Sequence, residues 1–285
     1  TTGGGPKLYD SAFLPSSYQG TPLGSPRSLG RESAANTTGG LFHRKGQRAL
    51  LDRVQERNRA VLESDPHDPR LNGLIESFEL AFRMQDALPD VLDWTKEPDA
   101  VRTAYGIASG KPTEHFGRQC LVARRLAEAG VRFIELNHSN WDDHVDLFAE
   151  LPRHCLEVDQ PIAALLNDLA ERGLLADTLV LWGGEFGRTP TVKGDFNAKR
   201  GGETDHNIKG YTMWMAGGGV KPGTVHGATD DQGLEAVEGR VHLHDLHATM
   251  LHLLGLDHEK LTYRYAGRDF RLTDVKGEVV KEILA

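Results

Sequence analysis

Residues 178–207 read TLVLWGGEFGRTPTVKGDFNAKRGGETDHN, and the rest of the chain reads most simply as scaffolding for them. Residues 178–182 are a short apolar, β-rich run with the length of a buried strand. Gly183-Gly184 lets the backbone turn sharply, which delivers Glu185 at the strand's carboxyl end, the edge where open α/β sheets bind ligands. Arg188 follows three residues on, and after a glycine-rich charged loop comes Asp205-His206, a second pair able to grip a metal. A carboxylate at a strand end, an arginine and an Asp-His pair point to a hydrolytic metal site. The same residues also read as an ordinary surface loop with a salt-bridging glutamate.

Working outward, an alternation of helix and strand begins at Thr113, a good N-cap. Residues 116–129 carry helical apolar spacing and Gly130 closes them. Residues 131–136 (VRFIEL) read as a strand, and 137–144 (NHSNWDDH) as a polar loop at its end. Residues 147–172 are helical, with Pro152 and Pro161 as points of interruption, and Gly173 closes the run. With the 178–182 strand this makes a βαβ unit whose crossover is right-handed. Both polar loops then leave the same carboxyl edge, which brings Asp142, Asp143 and His144 towards Glu185. Residues 211–216 (YTMWMA) read as another strand, entering Gly217-Gly218-Gly219. No lysine-serine pair follows those glycines, so they are not a phosphate-binding loop. Asp245 is placed to cap a helix over 246–254 that Gly255 ends, and a short amphipathic helix falls near Val279.

The fold expected is α/β: a mostly parallel sheet flanked by helices, with a helical insertion. Residues 1–40, rich in Gly, Ser, Thr and Pro, read as an extended arm or as disorder, with Phe13, Leu14 and Tyr18 as anchors in the first case. Residues 41–110 read as a helical hairpin, an insertion or cap. Its first helix runs over about 42–63 and its second over about 69–88, ending before Pro89. Arg44, Lys45, Arg48, Arg53, Arg57 and Arg59 make a solvated face. Residues 111–285 form the α/β core.

The chain of 285 residues suffices for one large domain or two small ones. A formal charge of −8 and the lack of basic runs argue against nucleic-acid binding. No stretch approaches the roughly 20 apolar residues of a membrane span. Cys120 and Cys155 lack metal spacing and read as buried apolar fillers. Thirteen histidines make chance clustering common. His144 and His206 stand out because each follows an aspartate in a polar loop beside a strand end. His242, His244, His247 and His252 gather at a helix start and read as capping or surface residues. No G-x-S-x-G elbow supports a serine esterase.

These residues carry a resemblance. Residues 178–187 (TLVLWGGEFG) align without a gap to the T-L-V-V-V-T-S-D-H-G signature of the alkaline phosphatase and sulfatase superfamily. Residues 159–166, 216–223 and 245–255 resemble its flanking helix, glycine-rich turn and D-x-x-P-T-x-L-x-L-L-G helix, and residues 266–268 its terminal G-R. More closely, WDDH, GGEFGRTP, TDHN and the run from Asp245 to Val275 resemble the bacterial family called domain of unknown function 1501, often labelled sulfatase-like. That resemblance runs from about Tyr9 to the end.

It implies an alkaline phosphatase/sulfatase-like fold and a site holding a divalent metal, whether zinc, calcium or manganese. Asp142 and His144 would be first-site ligands, His206 the later histidine of that site with Asp205 beside it, and Glu185 the second-site carboxylate. Arg188 would clamp the tetrahedral anion of a small-molecule or polysaccharide ester. Phe186 stands where the signature has a metal-binding histidine. The superfamily's nucleophile lies on an upstream strand that no segment here resembles, so the chain is expected to be the carboxyl-terminal part of a larger domain. The activity implied is hydrolysis of phosphate or sulfate esters; the alternative is a non-catalytic exported protein that keeps the fold for binding or structure. Family members commonly carry an export signal, which implies a periplasmic or secreted location.

Overall fold

A computed structural model describes residues 20, 22–23, 44–64, 88–108, 110–139, 141–144, 146–184, 186–190 and 204–285. The chain divides into two units, residues 1–139 and 140–285.

In the first unit, helix α1 spans Arg44–Ser64, and the described side chains of Arg53, Arg57 and Arg59 are exposed on it. The expected second helix lies mostly outside the described residues. Residues 88–91, which include Pro89, are helical. A 3-10 turn at Trp94–Lys96 and helix α2 at Asp99–Ala104 lead to helix α3, Glu114–Glu128. Thr113 holds the N-cap position of α3, yet its hydroxyl donates to Gly106 O at 2.7 Å instead of capping its own helix. Gly117, in the body of α3, lies against Tyr105. A Cβ there would come 2.1 Å from the Tyr105 carbonyl oxygen, so the helix tolerates the poor propensity of glycine for the sake of close backbone contact.

Leu92, Val122 and Leu126 pack with Leu88 into a buried cluster that Leu23, Val91, Trp94 and Ile134 cover. Cys120, fully buried in α3, is apolar filling as expected, and burial pushes its thiol far up from its ordinary range. Buried charge completes this unit. Arg124, 1 % exposed, meets Glu97 at 2.9 Å and Glu128 at 2.7 Å. Arg125 shares Glu97 and donates to Val91 O (2.7 Å) and Asp90 O (2.8 Å), holding carbonyls at the end of the 88–91 turn. Burial raises the Glu97 carboxyl, but hydrogen bonds from Arg124 and Arg125 outweigh it and hold the group below its usual range.

The expected strand at 131–136 does not form. Residues 131–139 pair with no strand among the described residues, and Val131 and Phe133 are 43 % and 72 % exposed while Ile134 packs on the cluster. The apolar residues of this run are thus left wholly or partly facing solvent.

In the second unit, helix α4 spans Leu147–Glu171 without a break at Pro152 or Pro161, and Gly173 follows it. Strands β1 (Val180–Trp182) and β4 (Trp214–Ala216) pair antiparallel with Leu181 opposite Met215. Strands β2 (Gly187–Arg188) and β3 (His206–Asn207) do likewise. So do β5 (Ala228–Thr229) with β6 (Ala236–Glu238), and β7 (Thr262–Tyr265) with β8 (Arg268–Arg271). The expected mostly parallel sheet flanked by helices is therefore not the fold. Among the described residues the strands make four separate antiparallel ribbons, and the βαβ unit does not exist because 131–136 is not a strand. A short apolar run specifies burial but not the direction of its partner.

The glycine run 217–219 is a close-approach turn. A Cβ on Gly217 would lie 2.3 Å from Leu175 O and 2.5 Å from Thr178 O, and its φ of +71° is left-handed. Helix α5, Leu243–Leu253, is capped by His242, one residue before its start, not by Asp245. His242 Nδ1 accepts from His244 N (3.2 Å), while Asp245 accepts from His242 N (2.8 Å) as the reciprocal half of a capping box. Asp245 also accepts from Glu278 N (2.9 Å), and Thr249 Oγ1 accepts from Val280 N (2.9 Å), which ties the last segment to α5. That segment ends in a 3-10 turn, Lys281–Ile283, where an amphipathic helix was expected. Ala266 and Gly267, with φ of +48° and +83°, form the two-residue turn of the β7–β8 hairpin, as a type I′ turn requires. No described helix is long and apolar enough to cross a membrane.

Candidate functional site

Short-range pairing assembles the site. In the β2–β3 ribbon Arg188 stands directly opposite His206, and such cross-strand partners share a face. The ribbon is held at both ends. Thr189 N donates to Asp205 O (2.8 Å), and Asp205 N donates to Thr189 Oγ1 (3.0 Å). Asn207, 6 % exposed, donates to Leu234 O (3.1 Å) and accepts from Lys209 N (3.0 Å), which roots β3 in the loop that joins β5 to β6. Asn207 was not singled out from sequence, yet it explains why an asparagine follows Asp205-His206.

The WDDH loop closes onto this ribbon. Arg188 Nη2 donates to Trp141 O and to Asp142 Oδ1, both at 2.9 Å. His206 Nε2 lies 2.8 Å from Asp142 Oδ1, and His144 Nε2 lies 3.1 Å from the same oxygen. His144 Nδ1 is 2.9 Å from the carbonyl of Thr204, a contact that orients the ring with Nε2 towards Asp142. The two imidazoles stand 4.8 Å apart, and Phe186 packs 4.4 Å from the His206 ring. The His206 hydrogen bond first, and that of Arg188 second, hold the Asp142 carboxyl at about 2, below the ordinary carboxylate range. Asp142 nevertheless keeps a side chain 70 % exposed, so the cluster opens to solvent.

Of the residues singled out from sequence, Asp142, His144, Arg188 and His206 meet. Asp205 supports them from the backbone, its carboxylate accepting from His206 N at 2.8 Å. Glu185 lies outside the described residues. The loops meet although the parallel sheet invoked to bring them together is absent. Antiparallel pairing of β2 with β3 and the arginine's reach to the loop do that work instead.

A second group adjoins along the chain. Asp143, Glu150 and His154 offer ligand atoms that all lie within 4.8 Å of one another, as do those of Asp142, His144 and His206. His154, fully buried, has Nε2 3.1 Å from Asp143 Oδ2, and Trp141 lies 5.3 Å from its ring. Sequence reading passed over Glu150 and His154. Their four-residue spacing in a helical run, which puts both on one face, was the available signal.

The donor set fits a divalent ion. Two imidazole nitrogens and a carboxylate oxygen suit borderline metals, and their ligand atoms already converge. Positive charge from Arg188 beside them suits an anionic group bound at the same place.

A surface centre of histidines, carboxylates and an arginine, carried by a loop and a short antiparallel ribbon, is what fold and site together define. The family model described as Protein of unknown function (DUF1501) matches residues 1–284, and the chain belongs to that family. No curated protein and no solved structure matches it.

Proposed function

We propose that the chain takes part in metal-dependent hydrolysis of a phosphate or sulfate ester, in the manner of the sulfatase-like proteins its motifs resemble. The observation that carries this reading is the meeting of His144 and His206 on one carboxylate oxygen of Asp142, with Arg188 at 2.9 Å from the same oxygen. Asp142, His144 and His206 would hold a divalent ion, which supplies Lewis-acid polarisation of the ester oxygen. The planar fork of Arg188 turns from Asp142 to two oxygens of the tetrahedral anion and fixes its orientation. Thr204 O keeps His144 in register, and Asp205 does the same for the His206 backbone. Water is the co-substrate, and the alcohol leaves with its proton. The export common among similar proteins extends the proposal to a periplasmic or secreted location and a small-molecule or polysaccharide ester.

The test is turnover of aryl phosphate and aryl sulfate by the chelator-stripped chain on adding back zinc, calcium or manganese. Arg188→Ala should lower the metal-dependent rate by about 10²–10³-fold, the usual effect of removing one donor to a developing anion. Metal-independent turnover, or turnover indifferent to His206→Ala, overturns the reading. One observation favours a second reading, a non-catalytic binding protein: Phe186 covers one side of His206 where a further ligand would be wanted. Binding of inorganic phosphate or sulfate that needs Arg188, without turnover, would select it.

A further inference from the structure

The two adjacent aspartates of the WDDH loop go to different partners. Asp142 meets His206 and Arg188, whereas Asp143 meets His154 on α4. The second group has its own geometry. Glu150 and His154 are four residues apart on α4, so the helix itself fixes their separation. His154 is fully buried, with Asp143 3.1 Å from Nε2 and Glu157 3.7 Å from Nδ1. Trp141 lies close to the ring and limits its motion. Three carboxylates thus surround one buried imidazole, an arrangement that favours bound positive charge.

Arg153 shows where that charge goes. Its guanidinium bridges Glu150 and Glu157, and Nη2 reaches 3.5 Å from His154 Nε2. Its side chain is 48 % exposed on a long flexible stem, so it can swing into water and leave the carboxylates facing the imidazole. The exposed guanidinium is a competitor for the place of a cation.

We propose that Asp143, Glu150 and His154 form a second divalent-cation site, with one nitrogen and two oxygen ligands, distinct from the Asp142–His144–His206 cluster and gated by Arg153. One imidazole with two carboxylates suits manganese or zinc better than a soft metal. The site does not depend on hydrolytic activity, and it does not share a ligand with the first cluster.

The experiment uses the metal-stripped full chain and Mn2+ alone, with bound metal counted by equilibrium dialysis and elemental analysis. Wild type should bind two ions and His206→Ala one. Glu150→Gln, an isosteric change at a half-buried position, should weaken one class of sites at least about 10-fold, because loss of even an indirect supporting group costs that much. Arg153→Met should tighten the same class, a gain that no merely structural role for Arg153 would produce. The Glu150 and Arg153 variants are read in both wild-type and His206→Ala backgrounds. If His206→Ala loses no ion, the hydrolase reading suffers while Glu150→Gln still reports on this site. Mn2+ binding unmoved by Glu150→Gln, or weakened by Arg153→Met, overturns the proposal.

Discussion

In each unit an acidic side chain lies between cationic or imidazole partners, Glu97 in the first and Asp142 in the second, and the two make opposite use of it. Glu97 lies between Arg124 and Arg125 with its side chain 9 % exposed. Asp142 lies between His206, His144 and Arg188 with its side chain 70 % exposed. Both carboxyls are held below their usual range by hydrogen bonds from those partners. Around Glu97 the charges are sealed in, so its partners can only hold α3 to the segments before it. Around Asp142 the same kind of contact stays open to water, where the partners can be exchanged for a ligand. Between these two carboxylates it is burial, not the kind of contact, that separates the structural charge from the one open to a ligand.

The largest way to break this contrast is Glu97→Ala. It leaves the fully buried Arg124 without its 2.9 Å partner, and removing one member of a buried pair costs about 3–5 kcal/mol. Chemical denaturation should show that loss. An unchanged midpoint would mean Arg124 finds compensation in Glu128.

Gly217→Ala comes next, because the second unit is ordered there by close backbone approach and not by charge. The new Cβ would meet Leu175 O at 2.3 Å at a φ of +71°. Left-handed strain plus the clash should cost roughly 2–4 kcal/mol, read as a lowered Tm. Gly223→Ala, also at positive φ but with open space around it, isolates the strain alone and should cost less.

The smallest effect is expected at Asp142. In metal-free protein its carboxyl should titrate near about 2 by side-chain 13C NMR, because His206 and Arg188 stabilise the ionised form. A depressed carboxyl contributes stability that is present above its unfolded value of about 3.9. That contribution is lost as pH falls towards about 2, not on the alkaline side. His206→Ala should move the titration up towards the ordinary value while leaving Tm unresolved from wild type. A titration unmoved by that substitution would sever Asp142 from His206.

Sequence showed the local features well. The extent of α3 follows from Thr113, Gly130 and the apolar spacing between them, although Thr113 spends its hydroxyl on Gly106. Val180–Trp182 was visible as a strand because its residues are apolar and β-prone. Its direction relative to Trp214–Ala216 was not, because pairing is set by where the intervening chain returns and not by composition. Residues 131–136 show the limit most clearly. The short apolar run there looks like a strand, but strand formation needs a neighbour, and none is paired with it among the described residues. Asp142, His144, Arg188 and His206 could be picked out as chemically unusual residues in polar loops. Glu97 with Arg124 could not, since a pair 27 positions apart has no local signature.

The β7–β8 hairpin has a consequence on another timescale. A two-residue turn at Ala266-Gly267 makes Tyr265 and Arg268 the first hydrogen-bonded pair, so Tyr263 and Phe270 form the next one inward. The amides of Arg264 and Asp269 then point away from the ladder. Along this one ribbon, hydrogen exchange with solvent should alternate residue by residue. The slow amides of Tyr263 and Phe270 report opening of the hairpin as a whole, and their fast neighbours provide an internal clock for exposed backbone.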